Sequence, residues 1–207
     1  MTNQNQGQDQ KQKVIVFGAG GRVGRAAVAR ARAQGYEVTR AGRADGDVTS
    51  AADVARLAAG HDAAVVAVYD AQAAPGVFFP AVARALAEGL PEAGVRRLVS
   101  VGLASVLPTA SGILLMDGPG YPQDWREFYE GHAAGTEALR AAAPAGLDWA
   151  VLSPAGDFAS DAPEAGGYAF APADAASRIT HADFARAVVD EAVAPSLHRT
   201  HAGVRPV

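Results

Sequence analysis

The stretch Val14-Ile15-Val16-Phe17-Gly18-Ala19-Gly20-Gly21-Arg22-Val23-Gly24 constrains the fold more than any other part of the chain. Its first four residues are an unbroken apolar run, the pattern of a strand buried on both faces of a parallel sheet. The glycines at 18, 21 and 24 follow directly, and an Ala- and Arg-rich segment of helical length follows them. In a strand–turn–helix unit of this kind Gly18 makes the sharp turn and Gly21 lets a ligand approach the backbone. Gly24 lets the helix pack tightly on the strand, and the free N–H groups at the helix start favour an anion. The older G-x-G-x-x-G spacing fails here, because Val23 stands where its last glycine would be. The turn as a whole, Gly18, Gly20, Gly21, Arg22, Val23 and Gly24, reads as a dinucleotide pyrophosphate site.

The same alternation continues along the chain. Short apolar runs at 36–39, 63–68, 97–101 and 149–152 leave room for helices at about 22–34, 51–59, 76–89 and 124–142. Gly35, Gly60, Gly89 and Gly146 stand near the ends of these helices as stops. A last helix over about 182–193 starts after Thr180-His181, with His181 as its cap, and a final strand near 200–205 completes the set. Alternating strands and helices predict an α/β fold, a Rossmann-type doubly wound parallel sheet in a single domain over 13–207. Two Gly- and Pro-rich segments, about 102–125 and 153–180, interrupt the pattern and are expected as long loops forming a small substrate-side lobe. They follow the fourth and fifth strands at the edge where open α/β sheets bind ligands. Met1 to Gln12 is polar and rich in Gln and Asn, and reads as a disordered tail.

Composition narrows the function classes. The 207 residues carry a net charge of −4, and Lys11 and Lys13 are the only lysines, so no basic face for nucleic acid is expected. The absence of cysteine excludes disulfides, thiolate nucleophiles and iron–sulfur clusters. The histidines and carboxylates show no metal-ligand spacing. No apolar run approaches the roughly 20 residues of a membrane helix, and the start has no secretory apolar core, so a cytoplasmic protein without a membrane partner is expected.

The choice of dinucleotide is read at the end of the second strand. Sites for NAD place an acidic residue there to take the ribose hydroxyls. This chain has Thr39-Arg40-Ala41-Gly42-Arg43, and arginines at 40 and 43 favour a 2′-phosphate, hence NADP(H) over NAD(H). Asp47 and Val48 are expected to border the adenine, with Ala67, Val68 and Tyr69 on the ribose side.

In its glycine turn, and in Gly46-Asp47-Val48-Thr49, Gly60-His61-Asp62-Ala63-Ala64-Val65-Val66, Arg97-Leu98-Val99-Ser100-Val101-Gly102, Leu147-Asp148-Trp149-Ala150-Val151-Leu152-Ser153-Pro154 and Ile179-Thr180-His181-Ala182-Asp183-Phe184-Ala185, the chain resembles the atypical short-chain dehydrogenases/reductases. That group includes NmrA-like proteins, biliverdin reductase B and flavin reductases, and small bacterial NAD(P)H-binding oxidoreductases. The resemblance implies that the nicotinamide lies beside Gly102–Ser105 and Ser153–Phe158, with Pro154 and Ala155 behind it and Ser105 on an acceptor carbonyl. The Tyr-x-x-x-Lys dyad of the ordinary members is missing: Tyr129 is followed four residues later by Ala133. His132, on the helix that carries the superfamily's acid, and Tyr129, one turn earlier, are the candidate proton donors. Tyr121, Trp125, Phe128, Phe158, Tyr168 and Phe170 either stack on a planar acceptor or close a lobe over the sheet edge. The expected function is hydride transfer from NADPH to a planar conjugated small molecule such as a flavin or a quinone, by a monomer or homodimer. An NmrA-like NADP sensor and a nicotinamide-dependent epimerase/dehydratase are the alternatives.

Overall fold

A computed structural model describes residues 11–207. Residues 1–10 of the expected polar tail lie outside the described residues, and Gln12 already belongs to the domain, its carbonyl accepting from the Glu37 N–H at 3.0 Å. The strands are β1 (Lys13–Phe17), β2 (Glu37–Ala41), β3 (Ala63–Val66), β4 (Arg97–Val101), β5 (Asp148–Pro154), β6 (Asp157–Ala159), β7 (Tyr168–Ala171), β8 (Arg178–Thr180) and β9 (Thr200–Pro206). The helices are α1 (Arg22–Ala33), α2 (Ala51–Ala58), α3 (Pro75–Glu92), α4 (Arg126–Ala142) and α5 (His181–Val193). Seven strands form one sheet in the order β2-β1-β3-β4-β5-β9-β7, and β6 pairs with β8 in a separate two-stranded sheet. All pairs in the main sheet are parallel except β7 with β9.

The doubly wound arrangement follows from the strand patterns. Within β1, Val14 and Val16 face one side and Ile15 and Phe17 the other, as strand alternation requires. The first pair joins a core with Ala27 and Val28 of α1 and Phe184 and Val188 of α5. The second pair joins a core with Val54 of α2, Leu86 of α3 and Leu139 of α4. From β1 the chain crosses to β2 on one side and then to β3 on the other, so a crevice opens between β1 and β3 at their carboxyl ends. The opposite edge is closed, because the buried Arg97 guanidinium pairs there with Asp148 at 2.7 Å and Glu191 at 3.1 Å.

The two long segments differ from expectation. Residues 102–125 hold 3-10 turns at Ala104–Val106 and Leu115–Asp117. Residues 153–180 are not one uninterrupted loop, since they contain the end of β5 together with the short strands β6, β7 and β8, joined by irregular chain. The helix α5 is capped by Thr180, not His181: the Thr180 Oγ1 accepts from the Asp183 N–H at 3.0 Å. Asp183, fully buried, accepts in turn from the Ala165 and Gly166 N–H groups at 2.8 and 2.9 Å and from the Thr180 hydroxyl at 2.8 Å. Burial opposes its ionisation, but these donors outweigh that and hold its carboxyl below the ordinary range. His181 is the first residue of α5 and stacks on Phe158, ring centroids 4.3 Å apart.

Candidate functional site

A cleft of about 640 Å³ occupies the crevice between β1 and β3. Its floor is the glycine turn, and the four glycines there serve different ends. Gly18 has φ +75°, and a Cβ on it would lie 2.1 Å from the Ala67 carbonyl oxygen. A Cβ on Gly24 would lie 2.2 Å from the Gly18 carbonyl oxygen. Internal packing therefore requires both. On Gly20 a Cβ would meet nothing within 4 Å, and on Gly21 its nearest neighbour would be 3.4 Å away. The protein's own packing explains neither; both present bare backbone to the cleft that they line. Gly21 is also the N-cap of α1, with no side-chain cap and no acidic residue in the first turn, so the positive end of the helix is left for a ligand anion. This cradle fits the pyrophosphate of a dinucleotide.

Of the other expected cofactor residues, Arg43, Asp47, Val48, Ala67, Val68 and Tyr69 all line this cleft. Arg43 spans its mouth: Nη2 donates to the Tyr69 carbonyl at 3.1 Å and lies 3.5 Å from the Asp70 carboxylate. Asp47 accepts from the Thr49 N–H at 2.8 Å and from its hydroxyl at 2.7 Å, which shapes the turn before α2. Arg40 does not line the cleft. Strand alternation puts it on the face opposite Ala41, and it is exposed. Arg22, exposed, and Val23 stand in the first turn of α1, beside the lining glycines and not among them. Asp70 and Phe78 line the cleft without having been singled out in the sequence.

A second cleft, of about 550 Å³, adjoins the first through Tyr69, which lines both. Its walls carry Tyr121, Trp125, Phe128 and Tyr129 from the 102–125 segment and the start of α4. The Tyr69 and Phe128 rings meet edge to face at 5.4 Å, as do Tyr121 and Tyr129 at 5.5 Å. The remaining aromatics serve packing: Phe158 lies between His181 and Phe184, and Tyr168 contacts Phe170 on β7. Gly156, Asp157 and Arg178 complete the far wall. Gly156 is sterically obliged, since a Cβ there would lie 2.4 Å from the carbonyl oxygens of Asp174 and Ser177.

The two candidate proton donors and Ser105 occupy different places. Tyr129 lines the aromatic cleft. Burial and the nearby Asp124 raise its pKa against a lowering by Tyr121, so its hydroxyl stays protonated at neutral pH. His132 faces a small internal cavity between α3, α4 and the sheet, where it packs on Phe79 at 3.8 Å and Phe128 at 4.8 Å between ring centroids. Burial, with His201 nearby, pushes its pKa down to about 4. That corrects the expectation of an imidazole tuned for proton donation at neutral pH: the ring is neutral there and outside both clefts. Ser105 is fully buried, its hydroxyl has no hydrogen-bond partner among the described residues, and it lines neither cleft.

The residues expected along the nicotinamide divide between the protein interior and the aromatic cleft. Ser153, Pro154 and Ala155 are buried and line neither cleft. Ser153 Oγ is 2.8 Å from His201 Nε2. The half-buried His201 thus groups with the buried Ser153 and with His132, although nothing in the sequence groups it with them. Gly102 lines the internal cavity, where a Cβ would lie 2.6 Å from Val151 Cγ1. Within the same two expected spans, Leu103 and Ala104 after β4 and Gly156 and Asp157 after β5 do reach the aromatic cleft.

Known proteins share this architecture. A protein from Burkholderia pseudomallei, provisionally named an exported protein, is 27% identical with a TM-score of 0.79, over 94% of this chain and 99% of its own. A protein from Streptococcus pneumoniae, provisionally named an NADH-flavin reductase, is 24% identical with a TM-score of 0.74, over 95% and 100%. ChuY of Escherichia coli O157:H7, named an anaerobillin reductase, is 19% identical with a TM-score of 0.71, over 94% and 97%. No curated protein matches the sequence. The family described as NAD(P)H-binding matches residues 18–195, from the first glycine of the turn to beyond the end of α5. Bare glycine backbone at a helix start, in the crevice of a doubly wound sheet, is what that match predicts, and the chain belongs to the NAD(P)H-binding family.

Proposed function

We propose that the protein is an NADPH-dependent reductase that passes hydride to a planar conjugated small molecule. The observation that carries this reading is the pair of adjoining clefts: one floored by bare glycine backbone, the other walled by aromatic rings, with Tyr69 common to both. Gly20, Gly21 and the start of α1 would hold the pyrophosphate, and Arg43 at the mouth would take the 2′-phosphate that distinguishes NADPH. Bound NADPH supplies hydride, two electrons and one proton, and the acceptor takes one further proton. Tyr129 is the group in the aromatic cleft placed to give that proton or to donate a hydrogen bond to the acceptor. With no lysine beside it, its contribution is that of an ordinary phenol, and positioning carries more of the rate. The names of the flavin reductase and the anaerobillin reductase above agree with this class of acceptor.

The test is steady-state oxidation of NADPH and NADH with a panel of flavins and quinones. Turnover well above the uncatalysed rate, faster with NADPH, supports the reading. Tight NADPH binding without turnover on any acceptor contradicts it and marks a sensor.

A further inference from the structure

Ala133 stands four residues after Tyr129, where a lysine would support a phenolate. A second phenol stands beside Tyr129 instead. The Tyr121 ring packs edge to face on that of Tyr129, centroids 5.5 Å apart, and both line the aromatic cleft. Tyr129 is buried and Tyr121 half-buried. Contacts that do not involve the Tyr121 ring fasten its backbone to the start of α4. Gln123 Nε2 donates to the Met116 and Tyr121 carbonyls at 3.0 and 2.9 Å. Arg126, in the first turn of α4, donates from Nη1 to the Met116 carbonyl at 3.2 Å and to Asp117 at 2.7 Å. The two hydroxyls act on each other in opposite senses. Burial and Asp124 oppose the ionisation of Tyr129, and Tyr121 eases it. Burial first, then Tyr129 and Asp157, oppose the ionisation of Tyr121. Tyr121 is thus the phenol that keeps its proton, and a donor facing a phenolate stabilises it. The other charged groups around the pair are Arg178 on the far wall, and Asp117 and Glu130, both held by Arg126.

We propose that Tyr121 is a positioning residue for proton transfer by Tyr129: its hydroxyl donates to the Tyr129 oxygen as that oxygen gives up its proton to the acceptor. The proposal rests on the reductase reading, in which Tyr129 otherwise acts as an unassisted phenol. As the acceptor takes hydride, the Tyr129 O–H bond breaks and the acceptor gains the proton. The phenolate left behind is held by the Tyr121 O–H, which stays intact, and water returns a proton to Tyr129 once product has left. Each phenol has one proton to donate. With the Tyr121 proton directed at Tyr129, the Tyr129 proton is left to face the acceptor.

Tyr121→Phe, Tyr129→Phe and the double variant test this on the full chain, since the backbone contacts of Tyr121 survive loss of its hydroxyl. Tyrosinate absorbance against pH is the readout that needs no turnover. The difference between wild type and Tyr129→Phe gives the Tyr129 titration, and the difference between Tyr121→Phe and the double variant gives it without Tyr121. That titration is expected to move to higher pH when Tyr121 is lost. With the fastest acceptor of the flavin and quinone panel, kcat is expected to fall about tenfold in Tyr121→Phe, as loss of a hydrogen bond to a charged group gives, with KM nearly unchanged. The alkaline fall in kcat moves up in pH with the titration, because the acid is weaker. In the double variant kcat is no lower than in Tyr129→Phe, since Tyr121 acts only through Tyr129. A Tyr129 titration that moves as expected, with no NADPH oxidation by wild type on any acceptor, would uphold the pair and reject the reductase reading. A Tyr129 titration unchanged in Tyr121→Phe, or losses in kcat that add in the double variant, would overturn the proposal.

Discussion

Gly21 and Gly24 stand one helical turn apart and answer to different demands. At 24 a methyl group would strike the Gly18 carbonyl, which is backbone and cannot turn aside. Gly24→Ala is therefore expected to destabilise the fold by about 1–3 kcal/mol despite the better helix propensity of alanine. A urea unfolding midpoint equal to wild type would show that the turn relaxes freely. Asp70 is the second residue-scale case. It holds Arg43 at 3.5 Å on an exposed surface, so a 2′-phosphate must compete with it for the same guanidinium. Asp70→Asn should tighten NADPH binding about two- to fivefold, the scale of a surface ion pair, and leave NADH, which has no 2′-phosphate, unchanged. Equal shifts for both cofactors would remove Arg43 from the phosphate. The sequence named Arg43 because its place after β2 is defined by chain position alone. It gave equal weight to Arg40, because strand facing at an edge depends on register with β1. Asp70 went unseen, since only the tertiary fold brings the ends of β2 and β3 together.

At the scale of elements, α3 and α4 approach through glycine notches. A Cβ on Gly131 would lie 2.5 Å from Pro75 Cβ and 2.6 Å from the Pro75 carbonyl carbon, and one on Gly135 would lie 2.7 Å from Phe79 Cβ. Gly131→Ala gains helix propensity of about 1 kcal/mol and loses more to overpacking, so a net loss of about 1–2 kcal/mol is expected by thermal or urea unfolding. A stabilised variant would show that the two helices part without cost. The helices and main strands were legible because each has an internal signal: the apolar runs 14–17, 63–66 and 97–101, and the glycine stops at 35 and 60, although Gly89, expected as a stop, lies inside α3, which runs on to Glu92. The pairs β6–β8 and β7–β9 were not legible. Each joins strands of three to seven residues with partners more than ten positions away, and a segment rich in glycine and proline reads as loop when its partner is unknown. The place of Arg178 on the wall of the second cleft was lost with them. The place of Tyr129 on α4 was legible, whereas the packing of His132 on Phe79 depends on α3, which no local pattern reveals.

Over the whole molecule two half-buried histidines, His132 and His201, contribute to the response to acid. Burial, together with His201 for His132 and with Arg140 for His201, lowers both pKa values to about 4 from the ordinary 6.5. Between these values the unfolded chain binds protons that the folded chain refuses. Stability is therefore full above about pH 6.5 and falls as pH drops toward 4, by up to roughly 3 kcal/mol for each histidine. Urea midpoints at pH 7.5 and 5.0 should differ strongly in wild type and less in His132→Phe; identical differences would mean that the ring titrates normally. In the proposed function, bare backbone at Gly20 and Gly21 would receive the pyrophosphate of NADPH. Titration of NADPH by fluorescence into wild type and Gly21→Val, with circular dichroism on both, tests it most directly. Saturable binding to wild type, and a folded Gly21→Val weakened by roughly a hundredfold or more, about 2.7 kcal/mol, is the expected result. A folded Gly21→Val that binds NADPH as tightly as wild type would contradict it.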